Sequence, residues 1–231
     1  MAKKLSWWEA CLKTIIYIFA EGQTEELFIN KLLKPHFINK NIVVKPLLFT
    51  TSPGHTGGFP QYSKAVKEIK HWCSNYTSNY ITTMIDLYGL ADKKFSGYDE
   101  ALKLGDPFML VEKLERNLEN SVNHNNFFAN LIVHEFESLL FCDLEAFVKC
   151  GFERSCINKL KQNTKSFPTP EHINNNKSTS PFNRIKTVFK SYKKITHSKM
   201  ILDNIGLDKI RKHCHHFNSW IERMEKLSPG P

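Results

Sequence analysis

The chain has 231 residues, 41% hydrophobic and 24% charged, with 32 Lys+Arg against 23 Asp+Glu. That length supports one large domain, or one with a small appendage, burying about 70–75% of its unfolded surface, and the ordinary composition excludes collagen-like, mucin-like and wholly disordered classes. The charge is unevenly placed: residues 1–150 hold 16 Lys+Arg and 17 Asp+Glu (net −1), residues 151–231 hold 16 and 6 (net +10). A basic third of this kind suits contact with phosphates, or a plain solvated surface.

No apolar run approaches the roughly 18 residues of a membrane span; the best, residues 15–20, stops at Glu21. Lys3 and Lys4 followed by Trp7, Trp8 and Glu9 make a poor signal peptide. Six scattered cysteines without a CxxC (Cys11, Cys73, Cys142, Cys150, Cys156, Cys214) are expected to be reduced, in a cytoplasmic protein away from membranes.

In chain order, IIYIFA (residues 15–20) predicts a strand, and Thr24 is placed to cap a helix over residues 25–37. Residues 42–49 predict a second strand whose Pro46 suits an edge or a strand end. A Gly-bearing loop spans residues 50–60, then a helix over residues 62–75 carries Ala65, Val66, Ile69 and Trp72 on one stripe. A third strand covers residues 80–85, a long connection residues 87–106, and a helix opening on Pro107 runs to residue 120. Residues 127–133 predict a fourth strand and residues 136–149 a helix.

This alternation defines an α/β class with a mostly parallel four-stranded sheet flanked by helices. Residues 1–13 form an N-terminal extension and residues 14–150 the α/β domain. Residues 151–180 are a linker or mobile loop, since residues 158–180 are rich in Asn, Lys, Ser, Thr and Pro. Residues 181–231 form a basic helical region packing on the domain, with helices over residues 181–191, 199–204 and 207–227.

Three of the four strand ends carry a carboxylate: Glu21, Asp86 and Glu135, with Glu25 and Glu137 close behind. In an open parallel sheet the strand C-termini share one edge, where sites form. Clustered carboxylates repel unless a cation neutralises them, and hard oxygen donors without a Cys or His set point to Mg²⁺ or Mn²⁺, the usual equipment for phosphodiester cleavage. The same acids also suit helix N-caps and first-turn dipole partners.

Glu21-Gly22-Gln23-Thr24-Glu25-Glu26 after an apolar strand resembles the EGxTE signature of Toprim nucleases of the overcoming-lysogenization-defect type. With TTMIDLYGL (82–90), HEFESLLFCDLEAF (134–147) and IGLDKIRKHCHHFNSWIERME (205–225), the chain is more closely similar to a bacterial Toprim-like family, domain of unknown function 4276. That resemblance implies a Toprim-like fold, a metal-dependent nuclease role on nucleic acid, and an ABC-type or other ATPase partner in anti-phage defence, with a homo-oligomer left open. Glu21 matches the invariant Toprim glutamate and Asp86 the first Asp of the DxD pattern, whose second acidic position is Tyr88 here. Glu135 and Glu137 could supply the missing ligands, and Asp92 less so. The implied catalytic set is Glu21, Asp86 and Glu135, joined by Glu25 and Glu137 around a second ion; the alternative is a non-catalytic subunit that docks an ATPase or senses nucleic acid.

His134-Glu135 is not a HExxH zinc motif, because residue 138 is Ser. The tract His213-Cys214-His215-His216 points its side chains in different directions on a helix. The loop at residues 53–58 lacks the P-loop pattern. In the basic region Arg184, Lys186, Lys190, Lys193, Lys194 and Lys199 surround Ile185, Val188, Phe189 and Tyr192, so an apolar stripe could dock while the charges meet nucleic-acid phosphates. Tyr192 is placed either to stack on a base or to lie in the core.

Overall fold

A computed structural model describes residues 14–52, 54–90, 93–173, 176 and 178–227. The N-terminal extension, residues 1–13, and Asp92 lie outside the described residues. The strands are β1 (Thr14–Ala20), β2 (Ile42–Leu48), β3 (Thr50–Ser52), β4 (His55–Thr56), β5 (Tyr80–Asp86), β6 (Phe127–Phe128) and β7 (Leu131–Ile132). The main sheet runs β2-β1-β5-β6, with β7 also on β5, and every pairing in it is parallel. β2 is the outer strand, where the missing N–H of Pro46, in register with Ile18, is tolerated. The expected fourth strand is split. Between β6 and β7, Thr83 Oγ1 donates to the Asn130 carbonyl (2.8 Å) and accepts from the Asn130 N–H (2.9 Å), so a hydroxyl takes the place of a ladder partner.

The first helical run is α1 (Gln23–Phe28), a π-helical turn (Ile29–Leu33) and α2 (Lys34–Ile38). The wide turn falls just before Pro35, which has no N–H to give the helix. The residue capping α1 is Gly22 rather than Thr24, which lies buried inside the helix. Next come α3 (Tyr62–Asn75), α4 (Tyr98–Leu102) and α5 (Pro107–Val122). Asp106 caps α5, its Oδ1 accepting from the N–H of Phe108 and of Met109 at 2.9 Å each. Phe19, Ile81 and Ile85 on one sheet face pack with Ala65 and Ile69 of α3 and Leu114 and Leu118 of α5.

The other face is covered by α1 and by most of the chain after β7. Residues 136–149, expected as one helix, form a 3-10 helix (Phe136–Cys142) and then α6 (Glu145–Lys149). The expected linker carries α7 (Arg154–Thr164) and a 3-10 turn (Pro170–His172). Then follow α8 (Pro181–Val188), α9 (Lys194–Ile205), α10 (Leu207–His213) and α11 (His215–Glu225). α10 and α11 replace one expected helix because buried Glu171 accepts from the His216 and Phe217 N–H (3.1 and 2.9 Å), so a new helix N-terminus starts there.

Ile16, Ile18 and Met84 of the sheet share one buried cluster with Phe28, Phe136, Ile201, Phe217 and Trp220, and Trp220 Nε1 donates to Thr82 Oγ1 at 3.0 Å. Each side chain of this size contributes about 1.5–3 kcal/mol on burial, so the basic third is held to the sheet mainly by its apolar stripe. Its charges add bridges to acids of the first 150 residues: Arg154 and Lys161 to Glu145, Lys209 to Asp143, and Arg223 to Glu119. Part of the charge asymmetry is therefore used inside the molecule. The five cysteines among the described residues are free thiols, with Cys142 and Cys214 Sγ atoms 3.4 Å apart. Among the described residues no helix is long and apolar enough to cross a membrane.

Candidate carboxylate site at the strand ends

The parallel order puts the ends of β1 and β5 side by side. Glu21, the first residue after β1, is fixed by its backbone on both sides: its N–H donates to the Met84 carbonyl (3.3 Å) and its carbonyl accepts from Gly58. Gly58 has φ +78°, a conformation that favours glycine, and brings the Gly-bearing loop against the strand end. The Glu21 carboxylate accepts from the Asp86 N–H at 3.2 Å, linking the two strand ends directly. Glu25 reaches back over Gly22, where a Cβ would lie 3.2 Å from Glu25 Oε2. Glycine in this position lets the carboxylate approach the backbone.

The Asp86 carboxylate in turn accepts from the Phe136 N–H at 2.9 Å, tying β5 to the HEFE segment. That segment separates its two acids. His134 has φ +69°, Glu135 is extended (φ −151°), and the 3-10 helix begins at Phe136. Glu135 turns to the start of α8, accepting from the Phe182 N–H at 3.3 Å. It lies off the cavity wall and serves a helix N-terminus. Glu137, fully buried and also off the cavity lining, meets Lys194 instead, with Nζ 3.2 Å from its Oε2 and no hydrogen-bond partner for its Oε1.

Glu21, Gly22, Thr24, Glu25, Asp86 and Lys194 line a cavity of about 360 Å³. Burial, then the charge of Glu25, raise the Glu21 carboxyl to about 7. Burial pushes Asp86 well above the usual carboxylate range against the pull of Lys194, and Glu21 pushes the same way. Burial raises Glu137 to about 7, again opposed by Lys194. Burial disfavours the Lys194 ammonium, but Asp86, Glu137 and Glu25 together hold its pKa above the ordinary lysine value. The site is a set of carboxylates that resist ionisation around one cation.

Lys194, expected on the phosphate-facing surface, is the residue whose place here the sequence does not reveal. The available signal is chemical: buried acids at strand ends need a counter-charge, and the basic third holds it. Of the other basic candidates, Arg184 donates to the carbonyls of Thr179 and Asn163, and Lys186 to that of Tyr192. Lys190, Lys193 and Lys199 are exposed. Tyr192 is buried with its hydroxyl 2.8 Å from Ser198 Oγ, so it belongs to the core and cannot stack on a base.

The donors are hard oxygens of the kind Mg²⁺ and Mn²⁺ prefer, and the unpartnered Oε1 of Glu137 is a buried acceptor without a donor. The donor chemistry fits such an ion. The spacing does not close around one: among the described residues no three His, Cys, Asp or Glu stand together as a metal-holding group.

Fold and site together define an α/β protein with a carboxylate cluster on the C-terminal edge of a parallel sheet. The chain belongs to the family described as domain of unknown function (DUF4276), whose profile matches residues 20–225. No curated protein and no solved structure matches the chain.

Proposed function

We propose that the strand-end carboxylates take up a divalent cation and that the protein cleaves phosphodiester bonds of nucleic acid, as a Toprim-like nuclease acting with an ATPase partner in phage defence. The observation that carries this reading is the direct bond from the Asp86 N–H to the Glu21 carboxylate, which gathers the acids of two strand ends where both resist ionisation. Mg²⁺ or Mn²⁺ held there would supply charge stabilisation for the phosphoryl oxygens. Glu21 and Asp86, already linked, would hold it, with Glu25 moving in from the cavity wall to close the set and Glu137 released to join them once Lys194 withdraws. Glu21, with a pKa of about 7, suits proton transfer near neutral pH. Lys190, Lys193 and Lys199 would hold the substrate backbone.

A second reading, a binding subunit without chemistry, draws support from one feature. Lys194 already neutralises the cluster, and Tyr88 stands where the Toprim resemblance implies a second acid. Cleavage assays decide between them. With Mn²⁺ the wild-type chain should cut plasmid DNA or structured RNA, EDTA should stop it, and Glu21→Gln should lose ~10³-fold of the rate. Cleavage by Glu21→Gln at the wild-type rate would remove the carboxylate site from the reaction.

A further inference from the structure

Beyond the carboxylate site lies a second cavity, of about 380 Å³, walled by Leu87, Leu110, Phe167 and Pro168, with His134 and His172 in its lining. His134 is only 6% exposed, and neither ring nitrogen has a hydrogen-bond partner among the described residues. Its backbone is fixed at φ +69°, with its carbonyl accepting from the Tyr88 N–H at 2.7 Å. A buried imidazole with both nitrogens idle costs stability unless something else meets them. His172 is held by Thr169 Oγ1 on its Nδ1 (2.7 Å) and lies edge-on to the Phe108 ring. Phe167 is backed by the Arg184 guanidinium, 5.1 Å from the ring centre.

The lining sets the class of ligand. Among the described residues it contains no Lys or Arg and does contain Asp106, so phosphate or carboxylate is a poor fit. An imidazole offers both a donor and an acceptor, which matches the alternating edge of a heterocycle, and flat rings stack on aromatic walls. Apolar clefts of a few hundred Å³ with a few placed polar groups are the usual form of such sites. We infer that this cavity is a binding pocket for an uncharged nucleobase, met on its edge by His134 and on its face by Phe167, and separate from the carboxylate site.

Calorimetry and melting with adenosine, guanosine, cytidine and uridine at millimolar concentration test this, without metal, so the outcome does not depend on the nuclease reading. At least one nucleoside should bind and raise the melting temperature by about 3 °C. His134→Asn tolerates the positive φ but withdraws the ring, and should weaken binding about tenfold or more. Leu102→Trp, at the exposed rim, should block entry without touching His134. Indole serves as a purely apolar probe. The inference fails if no nucleoside binds, if binding ignores both substitutions, or if indole binds as well as the best nucleoside and His134→Asn leaves it unchanged.

Discussion

Lys194 Nζ stands 3.2 Å from Glu137 Oε2, and the acid is fully buried while the lysine side chain, 38% exposed, reaches in from the start of α9. The pair joins the basic third to the acidic strand ends. It also places a cation among the acids to which the proposed function assigns a divalent ion, so on that proposal Lys194 and the ion would compete for one set of oxygens.

Lys194→Met should therefore do two opposite things. Without metal it strands Glu137 and its neighbours, lowering stability at pH 8 by about 2 kcal/mol, less than for a wholly enclosed pair because the lysine is partly solvated. The loss should shrink at pH 5, where the acids take up protons. With Mn²⁺ the variant should recover its stability and bind the ion at least ~10-fold more tightly than wild type. Equal stability and equal Mn²⁺ affinity in the two proteins would show that Lys194 is not the competing cation.

The pH dependence of melting has a defined sign. Glu21 and Glu137 titrate at about 7 in the fold and near 4.5 in the unfolded chain. Their contribution is fully present below the lower value and is lost as pH rises through the higher one. His134, which burial lowers to about 4, acts in the other direction between its folded pKa and its ordinary value of 6.5. At about pH 6.5–7.5 His134 no longer opposes them and melting temperature should fall as pH rises, with His216, which burial lowers but the bond to Glu115 raises overall, adding in the same direction. Lys194 stays protonated in both states across that window. Glu21→Gln should flatten the fall and stabilise the protein at pH 8 by about 1 kcal/mol; a slope unchanged by this substitution would mean that Glu21 is ionised throughout.

Nucleic-acid binding should separate exposed from structural cations. Replacing Lys190, Lys193 and Lys199 with Gln should reduce the slope of log K against log salt by about 0.9 for each duplex-DNA phosphate that is no longer neutralised, with little change in melting temperature. Lys186→Gln should instead lower stability by about 1 kcal/mol, because its ammonium satisfies the Tyr192 carbonyl. A triple variant with the wild-type salt slope would mean that this face is merely solvated.

Much of the architecture is legible in the sequence because it rests on local signals. The apolar run IIYIFA before Glu21 and the strand-forming residues 80–85 before Asp86 are each stopped by an acid, and parallel pairing then brings those acids to one edge. Pro46 marks β2 as an edge strand or a strand end, and the strand order then makes it the edge. What is not legible depends on contacts distant in sequence or on backbone angle. The split at Cys214 needs Glu171 to cap α11 from another segment. The break between β6 and β7 needs the Thr83 hydroxyl. The exchange of roles between Glu135 and Glu137 arises from the left-handed His134 and the 3-10 turn that follows, since tighter winding and one extended residue point acids two apart to different sides. Lys194 is visible as a charge but not as a neighbour, because periodicity says nothing of which helix start meets which strand end.

The most direct test of a cation site at the strand ends is a Mn²⁺ melting series at pH 7.5 on wild type, Asp86→Asn and Glu135→Ala. Asp86→Asn removes a charge that burial already disfavours while keeping an oxygen for the Phe136 N–H. It should be about 1 kcal/mol more stable than wild type without metal. Mn²⁺ should stabilise wild type by about 2.7 kcal/mol at 100 times its dissociation constant, roughly 5–10 °C at this size. Asp86→Asn should lose most of that gain. Glu135→Ala, which removes only the partner of the α8 N-terminus, should start lower but keep the full response. A wild type whose melting ignores Mn²⁺, together with an Asp86→Asn variant less stable than its parent, would contradict the cation site.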